Sequence, residues 1–290
     1  MLISTPREFS FSLCLDFLKR SPKELLHQIK NDSVVKALRT KEQVVVFDVT
    51  SLADGLVIRF LTDEPGPDVR EMVSSYVREW FDVDTDLQPF YQMAAKDPLL
   101  KGVISKFYGY RIVGQPDLFE SLIWAVLGQQ INLGFAYTLK QRFVQTFGER
   151  LALQDREYFL FPSPQTVAVI RPDDLIPLQF SSQKSHYTIN IAEAFADGTL
   201  SKEKLKGLSL DDAKNRLITI KGVGNWTANY ALMKTFRYTN AFPLEDAGLH
   251  NAIKNLKKMD RKPSPEEVKK IFRKYKGWEA YATLYLWKTL

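Results

Sequence analysis

The stretch LITIKGVGNWTANYALMKTF, residues 217–236, limits what this chain can fold into more than any other. Leu210, Ala213, Leu217 and Ile220 recur with a helical period, then Gly222 and Gly224 interrupt, and NWTANYALMKTF resumes a helical pattern. Three phosphate-binding arrangements use glycines in this way. The dinucleotide fingerprint needs a strand before the glycines and a third glycine where this chain has Thr227, so it fails. The P-loop fails as well, because no Gly-Lys-Ser/Thr follows. A helix-hairpin-helix remains: one helix in DDAKNRLITI, a KGVG turn, and a second helix from Asn225. Glycine tolerates positive φ and close backbone approach, and the free N–H groups opening the second helix favour an anion. Such a turn holds a nucleic-acid phosphate without reading sequence. The competing reading is a tight turn between packed helices with a glycine cap.

Charge supports the nucleic-acid reading. Residues 201–290 hold 19 Lys and Arg against 9 Asp and Glu, a local charge of +10, while the first two hundred residues carry −4. A basic C-terminal part is either a solvated face or the footprint of a polyanion. Cys14 is the only cysteine, which excludes an intrachain disulfide and any four-cysteine zinc or iron–sulfur site. The three histidines, His27, His186 and His250, have no metal-ligand spacing. The N-terminus has no sustained apolar run, and no window reaches the ~18 apolar residues of a membrane span. A cytoplasmic protein without membrane association is expected.

The first 95 residues read as an α/β domain. EQVVVFDVTS and GLVIRFLTD are β-branched runs separated by LADG, and DVREMVSSYVREWF places Val69, Val73, Tyr76 and Trp80 at helical spacing. From Asp97 onward the chain reads as almost wholly helical. Phe119, Leu122 and Val126 share one helix face, and Phe135, Leu139, Phe143 and Phe147 another, with Gly148 as the stop. Ser163-Pro164 opens a further helix, and Ser264 with Glu267 makes a capping box. The expected fold is α+β: an N-terminal β-rich α/β domain (1–95), then a helical body (96–290). In that body, 116–230 supplies core helices, 210–237 the helix-hairpin-helix and 240–290 a final helical part.

At these residues the chain resembles the helix-hairpin-helix DNA glycosylases, in particular the 3-methyladenine DNA glycosylase II group. FESLIWAVLGQQIN, LITIKGVGNWTANYAL, FPLEDAGLHNAI and WEAYATLYLW stand in the family's order, and the likeness covers most of the chain. The resemblance implies a monofunctional glycosylase that removes alkylated purines from double-stranded DNA as a monomer. Asp246 takes the position of the catalytic carboxylate; by itself, Asp before AGLHNAIKNL is also a good helix N-cap. Glu245 is expected to face solvent. A base alkylated at a ring nitrogen is already cationic, so one fixed negative charge beneath the developing oxocarbenium ion suffices. Bifunctional relatives hold a lysine where this chain has Trp226, so no amine nucleophile is expected. Trp226 and Tyr230 lie one turn apart, and with Trp287 they make the expected π-rich base pocket.

Base flipping leaves a hole in the duplex, and the family fills it from the LGQQIN loop. Gln130 takes that wedge position, with Gln129 beside it. Lys221, Gly222, Val223, Gly224 and Thr227 are the expected DNA contacts of the hairpin. The resemblance implies no cofactor beyond a structural Na+ or K+ on the carbonyls of Ile218, Ile220 and Val223. Relatives place an aromatic residue after the catalytic Asp, whereas this chain has Ala247, which opens the pocket. Two other readings stay open: the same fold acting on an oxidised or deaminated base, and a non-catalytic DNA-binding module.

Overall fold

The computed structural model describes every residue except Glu42. Strands β1 (Leu2–Ile3), β2 (Gln28–Lys30), β3 (Ser33–Arg39), β4 (Val44–Leu52) and β5 (Gly55–Phe60) form one antiparallel sheet in the order β1-β5-β4-β3-β2. The two β-branched runs pair with each other, with Phe47 opposite Phe60 and Val49 opposite Ile58; Glu42, which begins the first run, lies outside the described residues. Neither β3 nor β4 alternates cleanly, because both faces of the sheet are covered. Val34, Val45, Phe47 and Val49 pack into the main core against the helices.

Val35, Ala37 and Val46 pack against Tyr158 and Leu160 on the other face. These two belong to β7 (Arg156–Leu160), which pairs with β6 (Glu149–Leu153) in a hairpin. The expectation of an almost wholly helical chain after Asp97 is therefore corrected at 149–160. The alternation Leu151, Leu153 and Tyr158, Leu160 around a turn at Gln154 (φ 54°) was the available signal. It is short, and the surface it covers is more than 100 residues away in sequence.

Helix Leu118–Gly128 lies at the centre, with residues 118 to 127 all buried and Asp117 accepting from the Glu120 N–H as its cap. Helices Leu133–Phe147, Ser182–Ala196 and Asn225–Ala231 pack against it, and Leu210–Ile218 packs on the last of these. Helix Asn225–Ala231 widens into a π-helical turn over Leu232–Phe236. Helices Ala247–Leu256, Pro265–Phe272 and Glu279–Trp287 close the fold. Ser163 and Ser264 cap as expected, the latter in a reciprocal box with Glu267.

One continuous apolar core crosses residue 95, running from Ile3 to Leu286. Polar links cross with it. The Lys140 ammonium lies 3.0 Å from Glu24 and 3.1 Å from Glu120, all nearly buried. Among the described residues no helix is long and apolar enough to cross a membrane.

Candidate active site and DNA groove

Asp246 stands where the loop after Pro243 turns into helix Ala247–Leu256. Its Oδ1 accepts the Leu249 N–H at 2.7 Å, so it is the helix cap that the local sequence allowed. The same oxygen accepts from Trp287 Nε1 at 2.8 Å, and Oδ2 accepts from Trp226 Nε1 at 3.1 Å. Three donors thus fix a half-buried carboxylate, and Oδ2, with one donor, keeps acceptor capacity for a substrate or water. Gly248 makes room for this arrangement, since a Cβ there would sit 3.0 Å from Asp246 Oδ1 and 3.5 Å from Trp287 Cδ1. His250 braces the approach loop, its ring nitrogens 2.7 Å from the Leu244 carbonyl and 2.9 Å from the Pro263 carbonyl. Glu245 is exposed, as expected.

The three expected pocket aromatics come together. Trp226 stacks on Tyr230 with ring centroids 5.4 Å apart and 26° between planes, and Tyr230 lies 6.4 Å from Trp287. Sequence spacing foretold the cluster but not its polarity: both indole N–H groups are directed at the carboxylate. Tyr230 is buried, and its hydroxyl accepts from Trp124 Nε1 at 3.0 Å. Burial raises its phenol above the ordinary range, so it stays neutral. Trp124 and Tyr137 extend the aromatic wall, and Arg20 reaches it from the N-terminal part. The guanidinium donates to the Tyr137 hydroxyl and lies 5.4 Å from the Tyr137 ring and 5.9 Å from the Trp124 ring. Sequence reasoning missed Trp124, Tyr137 and Arg20, because no single helix period joins them.

A groove of about 700 Å³ runs between the LGQQIN loop, helix Ser182–Ala196 and the hairpin. Lys221 and Gly224 are exposed on it, and Val223 is buried beneath. Gly222 has φ +107°, and a Cβ there would fall 2.4 Å from the Tyr187 ring. The turn therefore requires glycine on two counts. Gly224 opens the second helix without a side-chain cap, which leaves its first-turn N–H groups to solvent or an anion.

Two of the expected DNA contacts, Gln129 and Thr227, bond to each other. The Gln129 amide donates to the Gly222 carbonyl at 3.2 Å and to Thr227 Oγ1 at 3.0 Å. Thr227 is buried beneath the hairpin, while half-buried Gln129 lines the groove, and the pair ties the loop to the hairpin. Gln130 is exposed with φ +57°, an uncommon backbone state for a glutamine. The Ile220 carbonyl, one of the three expected at a cation, accepts the Val223 N–H at 3.0 Å and keeps a second lone pair. Among the described residues no cluster of His, Cys, Asp and Glu has the make-up of a transition-metal site.

Residues 123–277 match the family model described as HhH-GPD superfamily base excision DNA repair protein, and residues 7–122 match the 8-oxoguanine DNA glycosylase N-terminal domain. The chain is 42% identical to the DNA-3-methyladenine glycosylase of Bacillus subtilis over 100% of its own length and 97% of the relative's. It is 30% identical to DNA-3-methyladenine glycosylase 2 of Escherichia coli over 62% of the chain and 61% of the relative. Among solved structures, a 3-methyladenine DNA glycosylase from Archaeoglobus fulgidus superposes with a TM-score of 0.85 at 21% identity, covering 99% of this chain and 97% of that one. The Clostridium acetobutylicum 8-oxoguanine glycosylase/lyase bound to double-stranded DNA gives 0.76 at 19% identity, covering 100% and 97%; both show the fold alone. A hairpin, an acid on the following helix and these matches agree: the chain belongs to the HhH-GPD superfamily of base excision DNA repair proteins.

Proposed function

We propose that this protein is a monofunctional DNA glycosylase that excises alkylated purines of the 3-methyladenine and 7-methylguanine type from double-stranded DNA. The observation that carries the reading is the Asp246 carboxylate, held by three donors beside stacked Trp226 and Tyr230. A flipped cationic base meets the half-buried rings of Trp226 and Trp287, with buried Tyr230 stacked on Trp226 as their support, each cation–π contact contributing about 0.5–2 kcal/mol. Arg20 lies over the Trp124 and Tyr137 rings, which leaves Trp226 and Trp287 for the base. As the N-glycosidic bond breaks, its electron pair neutralises the departing base and positive charge moves to C1′. In this reading Asp246 stabilises that charge, and Oδ2 orients the water that adds to C1′ and accepts the proton it loses, passing it on to solvent. No amine stands at position 226, so the expected product is an intact strand with an abasic site.

The N–H groups after Gly224 are the proposed seat of one phosphate, with Lys221 beside it. A Na+ or K+ on the carbonyls of Ile218, Ile220 and Val223 would neutralise the hairpin's acceptor side. The molecule works as a monomer in this reading, in the compartment that holds the DNA. Free methylated bases released from methylated duplex DNA, with strand breaks appearing only after alkali, is the expected result. Breaks without alkali would remove the monofunctional assignment, and no release would remove the substrate assignment. The N-terminal match makes 8-oxoguanine the first alternative lesion for the same assay.

A further inference from the structure

Lys184 is the one lysine of helix Ser182–Ala196, and it is only 8% exposed. Its ammonium lies 2.7 Å from the Val126 carbonyl, 3.0 Å from Leu127 and 2.7 Å from Gln129. All three N–H donors are therefore used on backbone oxygens. Val126 and Leu127 belong to the last turn of helix Leu118–Gly128, where carbonyls run out of regular helical partners, and Val126 also accepts the Gln129 N–H at 3.2 Å. A cation at that end also meets the negative pole of the helix dipole. Among the described residues no carboxylate forms an ion pair with Lys184, so it does not serve as half of a salt bridge.

The same helix supports the hairpin. Tyr187 packs under Gly222, and Asn190 Nδ2 donates to the Lys221 carbonyl at 3.2 Å. Gln129, whose carbonyl Lys184 holds, donates its amide across to Gly222 and Thr227. One residue further on, Gln130 stands exposed in left-handed backbone. That conformation persists only where neighbouring structure over-determines it. The three bonds to Lys184 fix the segment immediately before it.

We propose that Lys184 is a positioning residue for base flipping: its ammonium locks the backbone at 126–129 and thereby aims Gln130 at the gap a flipped base leaves. This rests on the glycosylase reading above and on Gln130 as the side chain that enters the duplex. Burial pulls the Lys184 ammonium down to about 8. The other titratable groups bordering the groove are Tyr187 on its own helix and Lys221 on the hairpin, and the 129–131 loop adds none. As pH rises past 8 the amine loses one donor, and the lock weakens.

The test compares wild type, Lys184→Met and Lys184→Arg in single-turnover excision of one methylated purine, either paired in duplex or placed opposite an abasic site. The unpaired lesion has little flipping cost. Lys184→Met is expected to lose about 10–100-fold on the paired substrate, the scale of a misplaced positioning group, and less than about threefold on the unpaired one. Lys184→Arg is expected to restore the paired rate and to keep it above pH 8, where wild type falls. Equal losses on both substrates, or none on the paired one, would overturn the proposal. If Lys184→Met does not fold, the pH profiles of wild type and Lys184→Arg decide it, and coincident profiles overturn it. Absence of release by wild type itself would instead count against the glycosylase reading.

Discussion

Asp246→Asn separates the two functions that one residue carries here. The carboxamide is nearly isosteric, and its oxygen at the Oδ1 position keeps the bonds to Leu249 N–H and Trp287 Nε1. Asn caps as well as Asp, so the helix start is preserved. The amide nitrogen then replaces Oδ2 and faces Trp226 Nε1 at 3.1 Å, donor against donor. One charge-assisted bond is lost and one half-buried N–H is left unpaired, a cost of about 1–3 kcal/mol in stability. The rate should suffer more. Removing the charge beneath the developing cation is expected to cost about 10³-fold, or ~4 kcal/mol of barrier. Trp226→Phe in the same background removes the opposing donor, so the double variant should regain stability but not rate. Single-turnover release from methylated duplex, urea unfolding and binding to abasic-site DNA measure the three quantities. Release by Asp246→Asn within about threefold of wild type would refute the catalytic role, as would recovery of rate in the double variant.

Gly248→Ala places a methyl 3.0 Å from Asp246 Oδ1 and should slow base release at least tenfold, with abasic-site binding unchanged; an unaltered rate would show that the carboxylate has slack. Gly222→Ala meets the Tyr187 ring at 2.4 Å in a left-handed turn, so it should lower stability by roughly 2 kcal/mol or more and weaken DNA binding; calorimetry and anisotropy titration check both. Glu24 supplies a pH test. Burial opposes its ionisation, but the Lys140 charge outweighs that and holds the carboxyl at about 2, against an ordinary 4.5. The stabilisation, roughly 3 kcal/mol, is therefore present above pH 4.5 and lost as pH falls toward 2. Asp82 acts in the opposite sense, since burial lifts it to about 6 and protonation relieves the fold. Glu24→Gln should consequently be less stable than wild type by a constant margin above pH 4.5, narrowing below it; a margin independent of pH would refute the assignment.

The local parts of this molecule were legible in the sequence, and the relations between distant parts were not. Helix starts at Ser163 and Ser264, the β4–β5 pairing and the Gly-Val-Gly turn each depend on residues within about ten positions of one another. Trp226, Tyr230 and Asp246 could be grouped from motif order. That two indoles would donate to one carboxylate could not be, because it depends on how the 279–287 helix docks against the hairpin. The bonds from Gln129 to Gly222 and Thr227 were hidden for the same reason, since they join two loops more than 90 residues apart. Lys184 carried no signal at all, since a lysine in a helix is ordinarily a surface residue.

The β6–β7 hairpin has a consequence for how the chain is made. Its Tyr158 and Leu160 cover Val35, Ala37 and Val46, yet they are synthesised about 100 residues later. At ~5–20 residues per second, the N-terminal sheet waits roughly 5–20 s beside the ribosome with an apolar face uncovered. During that interval β3 and β4 present a hydrophobic surface to other nascent chains and to chaperones, which makes the yield of folded protein sensitive to anything that delays residues 149–160.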